Sequence, residues 1–267
     1  MMENIKRCGA MKESVNWKLF LSLWVASVFS VVAIVPYILT LQADLLKDLP
    51  IPLDILLPIQ LVQNAVLFAV FVFVGLYLAK KVGFGAPILE SLLERREAKT
   101  YLKSILGISI ASGVLVSILI AGIDYLFSIF IEPSPIDQTS PVSPPIWQRF
   151  LASLYGGIGE EVIMRLFLMT LLVWAFSKIK RTKEGKPNSF CVWLAIIVTA
   201  VLFGVGHLPF AVTLAPLTPL VIVRIIFLNC IGGIVFGWLY WRKGLESAMI
   251  SHFSATVLIN VIFPLLT

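Results

Sequence analysis

Seven runs of about twenty apolar residues follow one another along this chain, and that repetition decides the solvent in which it folds. They lie near 17–41, 59–79, 104–131, 150–177, 190–207, 219–241 and 245–266, with short polar connections between them. A helix rising 1.5 Å per residue needs roughly 20 apolar residues to cross the hydrocarbon core of a bilayer. The run at 190–207 is the shortest and ends in His-Leu-Pro. Charged residues make up only 13 % of the 267, and hydrophobic residues 59 %. An ordinary soluble domain is about one quarter charged. This chain cannot cover its surface with polar groups, so its surface must face lipid. The expected fold is all-α: a polytopic transmembrane helical bundle of about seven spans, eight at most, in one integral membrane domain. Residues 1–146 supply three N-terminal spans and their loops, and 147–267 supply a core of four.

The net charge of +6 invites a nucleic-acid reading, but its distribution argues against one. Lys6, Arg7, Lys12 and Lys18 precede the first span; Lys80, Lys81, Arg95, Arg96, Lys99 and Lys103 follow the second. Lys178, Lys180, Arg181, Lys183 and Lys186 form the next group, and Arg242 with Lys243 the last. The intervening connections hold only Lys47 and Arg149. Basic residues in alternate loops orient a membrane protein with those loops in the cytoplasm, which puts the N-terminus inside (the cell membrane, for a prokaryote). The positive charge then meets anionic lipid and needs no nucleic acid. Trp17, Trp147, Trp193 and Trp241 fall near the expected interfaces.

The first run is too long for the apolar part of a signal peptide and lacks a small-residue cleavage site. Cys8, Cys191 and Cys230 make no disulfide framework, and Cys8 in its basic stretch is a weak acylation candidate. The connection 132–146 carries Pro133, Pro135, Pro141, Pro144 and Pro145 and reads as irregular. Residues 80–103 read as an amphipathic helix linking two spans. Gly233-Ile-Val-Phe-Gly237 is a small-xxx-small pattern, expected to bring helices close together.

Away from the ends of the apolar runs, five ionisable residues remain inside them: Asp124, Glu160, Glu161, Arg165 and Arg224. Each costs about 2.5–3.5 kcal/mol at mid-bilayer on an insertion scale, so each needs a partner, a cavity or a task. Glu161 and Arg165 are four apart and can pair on one helix face. Glu160 lies about 100° around the same helix and finds no partner there. Asp124 and Arg224, claimed by no motif, are expected to pair across helices. The two histidines of the chain, His207 and His252, also lie in or at the edge of spans. A carboxylate with two imidazoles can activate water in two ways. Glu160 acts as general base with His207 holding the water and His252 supporting the oxyanion. Alternatively, Glu160 or Glu161, with His207 and His252, ligates a zinc ion that keeps one open position. Counted along the spans, however, His207 falls near the outer end and His252 nearer the cytoplasm. A common site therefore requires a tilted or broken helix, with Gly156–Gly159 and Pro209 as candidate breaks.

Glu-Glu-x-x-x-Arg at 160–165, Phe-x-x-x-His at 203–207 and a third His motif at 252 stand in order on successive spans. This arrangement resembles the CPBP family of type II CAAX prenyl endopeptidases and bacteriocin-processing, Abi-like membrane proteins, over about 147–262. The resemblance implies an intramembrane endopeptidase acting on a membrane-associated protein or peptide. Glu160 and His207 would activate water, His252 would serve the oxyanion site, Glu161 and Arg165 would support the architecture, and Phe203 would pack beside it. The family's usual Asn four residues after the third-motif His is Thr256 here, with Asn260 one turn further as another donor. The family has been described both with a metal and with a metal-free glutamate mechanism, so a divalent ion, zinc, at Glu160, His207 and His252 stays an open reading. Two further functions compete: a catalytically weakened scaffold or immunity protein, which Thr256 favours, and a proton-coupled transporter using Glu160, Asp124 and His207. The transporter reading lacks the internal repeat common in such proteins.

Overall fold

A computed structural model describes residues 15–47, 49–95, 97–130, 143–179, 182, 186–214 and 216–266. Cys8, the first three basic residues, Arg96, Lys180, Arg181, Lys183, Pro133, Pro135 and Pro141 lie outside the described residues. The spans are α1 (Trp17–Leu41), α3 (Leu53–Val82), α5 (Ala98–Ser128), α6 (146–176), α7 (Ser189–Gly206), α9 (Pro219–Lys243) and α10 (Leu245–Leu265). Short helices α2 (Ala43–Lys47), α4 (Pro87–Leu93) and α8 (Leu208–Leu214) lie between them. Six of these helices are long and apolar enough to cross a membrane. The rod α6 is helical throughout but divided: α-helix Ile146–Leu154, π-helical Tyr155–Glu160 and Val162–Met169, then α-helix Thr170–Phe176. The chain is an integral membrane protein, a polytopic helical bundle.

The bundle is apolar outside and carries small polar groups inside. Ile59, Val62, Val66, Val70 and Phe73 stand exposed along α3, a face that only lipid would cover. In the interior, Ser27, Ser30, Ser109, Ser117, Thr199, Ser247 and Ser251 are fully buried. Lipid offers no hydrophobic drive between helices, so small residues that permit close approach, and hydroxyls that bond across, hold the bundle. Ser109 and Ser247 share a 2.7 Å hydrogen bond between α5 and α10. Thr170 and Tyr240 share one of 2.8 Å between α6 and α9. Trp24 Nε1 on α1 donates to the Ala65 carbonyl of α3 at 2.8 Å. At Gly233 an added Cβ would stand 2.7 Å from Ala200 Cβ, and at Gly237 3.2 Å from Ile196. The small-xxx-small pattern is thus the α7–α9 crossing.

The expected amphipathic helix over 80–103 is replaced by two turns around a short helix. Gly83, at φ 78°, ends α3; α4 covers only Pro87–Leu93, and Arg95 turns at φ 57° before α5 begins. Gly83 and the Pro at the first position of α4 are the physical reason, since each interrupts a continuous helix. The buried Glu246 of α10 then caps α4 from outside, accepting from Leu89 N–H at 2.8 Å, while Leu245 N–H donates to the Gly85 carbonyl at 3.0 Å. This pins the start of α10, and with it the depth of His252.

Candidate active site

The site forms where the π-helical turn of α6 meets α10, with α7 closing one side. A π turn takes five residues to reach its hydrogen-bond partner and so rotates the following side chains relative to an α-helix. Gly156, Gly157 and Gly159 occupy that turn. Their lack of side chains lets α10 approach: a Cβ at Gly156 would lie 3.3 Å from His252 Nε2, and one at Gly157 would lie 2.7 Å from Phe253 Cβ. At the other end, α7 stops at Gly206 and α8 starts at Leu208, leaving His207 at the junction. Pro209 lacks an N–H and cannot continue the ladder of α7. Both expected breaks are present, and they resolve the mismatch in depth.

Glu160 is faced by both imidazoles. His207 Nε2 lies 3.9 Å from Glu160 Oε1, and His252 Nε2 lies 3.6 Å from Glu160 Oε2. Neither separation is a direct hydrogen bond; each is short enough for one water beside the pair to touch both atoms. The side chains of Glu160 and His207 keep 21 % and 35 % of their accessible surface, so the site can be reached. The far side of each ring is fixed. His207 Nδ1 is 2.8 Å from the Phe203 carbonyl, which only accepts, so Nδ1 carries the proton and Nε2 turns to Glu160. His252 Nδ1 is 2.9 Å from Glu161 Oε1, an acceptor by the same reasoning. Phe203 packs edge-on against both histidines, with ring centroids 4.7 and 5.7 Å away.

Glu161 and Arg165 form the expected intrahelical pair, Arg165 Nε to Glu161 Oε2 at 3.3 Å, with both side chains wholly buried. The geometry is that of an ion pair without a hydrogen bond: Glu161 Oε2 and all three Arg165 nitrogens lack hydrogen-bond partners. Asp124 and Arg224 also pair, and better: Nε to Oδ1 at 2.6 Å and Nη2 to Oδ2 at 2.9 Å, joining α5 to α9. Thr256 Oγ1 donates to the backbone carbonyls of His252 and Phe253, at 3.0 and 3.1 Å. The Asn260 backbone carbonyl accepts from Arg149 Nη1 at 3.4 Å, near the start of α6.

One neighbour has no place in the sequence motifs. Phe236 of α9 stacks on His252, with centroids 4.5 Å apart and planes at 20°. Its position between Gly233 and Gly237 is the sequence signal, since small residues there let α9 come close. Glu161, expected to support the architecture only, also orients His252; no spacing rule links residues 91 apart. Among the described residues, no group of three His, Cys, Asp or Glu side chains comes together as a metal cage. The donors are engaged in pairs, Glu161 with His252 and Arg165, and the two Nε2 atoms with Glu160.

A lipid-facing helical bundle that draws a carboxylate and two oriented imidazoles into its interior defines a class, the polytopic membrane proteins with an ionisable cluster inside the bundle. Residues 142–258, which include all three motifs, match the family described as Rce1-like, type II CAAX prenyl endopeptidase. This part of the chain is similar to that family of intramembrane CAAX-type proteases. No curated protein and no solved structure matches the chain.

Proposed function

We propose that this protein is an intramembrane endopeptidase that cuts a peptide bond of a membrane-associated substrate, a CAAX-type prenylated protein or a leader or bacteriocin peptide. The observation that carries the reading is the Glu160 carboxylate facing two imidazole Nε2 atoms from separate helices, each ring held by its own Nδ1. Water beside Glu160 and His207 gives one proton to Glu160 and a hydrogen bond to the bare His207 Nε2. Its oxygen adds to the scissile carbonyl carbon, and the carbonyl oxygen gains the negative charge. His252 supports that oxyanion through Nε2. Because Nδ1–H is already given to Glu161, donation through Nε2 requires the imidazolium. Collapse of the tetrahedral intermediate breaks the C–N bond, and Glu160 returns its proton to the leaving amine.

This sequence uses only the chain's own residues; in a zinc-dependent variant Glu160, His207 and His252 would be the residues to hold the ion. The basic loops support a cytoplasmic N-terminus. The test is cleavage of a panel of farnesylated CAAX-type and leader peptides by detergent-purified wild type, Glu160→Gln and His207→Ala, with metal content measured on each. Cleavage that Glu160→Gln abolishes while the fold stays intact supports the reading. Undiminished cleavage by Glu160→Gln refutes Glu160 as the base. The scaffold alternative draws on Thr256, whose proton is committed to backbone carbonyls. It would be favoured by a biological effect that Glu160→Gln retains in full.

A further inference from the structure

The two ends of the bundle differ in charge and in packing. Tyr101 Oη donates to the Lys243 carbonyl at 2.8 Å, and Leu245 N–H donates to the Gly85 carbonyl at 3.0 Å. The start of α5, the turn after α3 and the α9–α10 turn therefore share one end. Gln42 Nε2 donates to Thr213 Oγ1 at 2.9 Å, and Asp124 pairs with Arg224. The ends of α1 and α5, the start of α9 and the short helix α8 therefore share the other. Lys80, Lys81, Lys99, Lys103, Arg242 and Lys243 all stand at the first end. At the second, Lys47 is bonded to Asp44, Arg224 to Asp124, and Arg149 to the carbonyls of Pro144 and Asn260. Loops rich in Lys and Arg stay in the cytoplasm, which makes the second end the extracytoplasmic one.

Packing changes at the level of the site. Between the site and the basic end the core is closed: Leu166, Met169, Ile196, Leu239, Tyr240 and Leu245 are each no more than 1 % exposed. An interior packed that closely admits neither water nor a peptide. Toward the other end the helices part. Among the described residues, α3 has no buried residue before Phe68, and α5 has none after Ser117. On α9 Val221 is the one buried residue before Gly232, and on α10 Val261 is the one after Ala255. No residue of α8 is buried. Two clefts, of about 380 and 650 Å³, flank the last turns of α10 at this end. One lies against α5 at Ile120 and Asp124, the other against the start of α6 at Trp147 and Phe150. His207, with 35 % of its side chain accessible, stands where α7 stops and α8 begins, on the loosely packed side.

We propose that the site is entered from the extracytoplasmic side of the membrane, and that its substrate is a peptide segment already carried across the bilayer. That class covers leader and bacteriocin peptides and leaves out a prenylated C-terminus held at the cytoplasmic leaflet. The inference rests on the endopeptidase reading above and narrows its substrate class. The reaction that supplies such a substrate is the translocation of a polypeptide, so cleavage follows export.

The experiment compares the full chain in right-side-out vesicles, in inverted vesicles and in detergent. The probes are a charged, membrane-impermeant leader peptide and a farnesylated CAAX-type peptide, each added from outside. Glu160→Gln in detergent is the control for the endopeptidase reading: if the solubilised wild type cuts nothing, or if Glu160→Gln cuts as well as wild type, that reading fails and the substrate class fails with it. Right-side-out vesicles should cut the leader peptide, and inverted vesicles should lose that cleavage and regain it when detergent is added. A second measurement reads the side of the opening without any cleavage. Val212→Cys on the exposed face of α8 and Lys99→Cys at the start of α5 are each placed in a chain whose Cys8, Cys191 and Cys230 are replaced by Ser. An impermeant maleimide should label Val212→Cys in intact spheroplasts and Lys99→Cys only after permeabilisation. The proposal is overturned if the labelling order is reversed, or if inverted vesicles cut the leader peptide at least as fast as right-side-out ones. It is equally overturned if the farnesylated peptide is cut and only inverted vesicles cut it.

Discussion

Substituting the buried pair Glu161–Arg165 singly and together should produce strongly non-additive stability changes. The side chains are wholly buried and 3.3 Å apart. At an effective dielectric of about 20, opposite unit charges at that distance attract by about 5 kcal/mol. Removing one member leaves a buried charge, which costs about 3–5 kcal/mol. The two single changes should nevertheless differ. Glu161→Gln keeps an acceptor for His252 Nδ1 but strands the Arg165 cation, whose three nitrogens already lack hydrogen bonds. Arg165→Met strands the Glu161 anion, but that carboxylate keeps its 2.9 Å hydrogen bond from His252 Nδ1. Glu161→Gln should therefore cost the full amount and Arg165→Met distinctly less. The double variant should return to within about 1 kcal/mol of wild type, because replacing a buried pair as a whole is often neutral. Equilibrium unfolding in mixed detergent micelles, run as a double-mutant cycle, measures the coupling. Additive single effects, or a coupling below about 0.5 kcal/mol, would refute the claim that the two charges stabilise each other.

The other expectations concern helix contacts. A Cβ at Gly113 would meet the Ser251 carbonyl oxygen and lie 2.8 Å from Ser254 Cβ, so Gly113→Ala should destabilise the α5–α10 crossing by about 1–3 kcal/mol, read as a lower unfolding midpoint. Gly107 has nothing within 4 Å of its added Cβ, and Gly107→Ala on the same helix should be neutral or slightly stabilising. Asp124→Asn should loosen α5 from α9, since it removes the charge that Arg224 grips through two hydrogen bonds of 2.6 and 2.9 Å. Proteolytic nicking at the α5 end, compared with wild type, would report that loosening.

Much of this molecule is written in short-range pattern. Hydropathy alone places the spans, because crossing a bilayer is a condition each segment meets by itself; α1 is found at Trp17–Leu41, the range expected. The Glu161–Arg165 pair follows from helical spacing, and the Asp124–Arg224 pair follows because two opposite charges in lipid have little alternative to each other. The three motifs name Glu160, His207 and His252 without saying how they meet. Depth counted at a uniform rise separates them, since nothing in hydropathy reports where a helix winds wider or stops.

The tertiary structure decides what the site residues do for one another. The π turn at Tyr155–Glu160, the break at His207 and the depth of α10 set by Glu246 bring three helices to one level. The same packing gives Glu161 a hydrogen bond to His252, puts Phe236 on its face and commits the Thr256 proton to the backbone. Those relations depend on the rotation and closeness of helices far apart in sequence. They are set by small residues at the crossings, where the absence of a side chain at Gly113, Gly156 or Gly157 matters only once the opposing helix is in place.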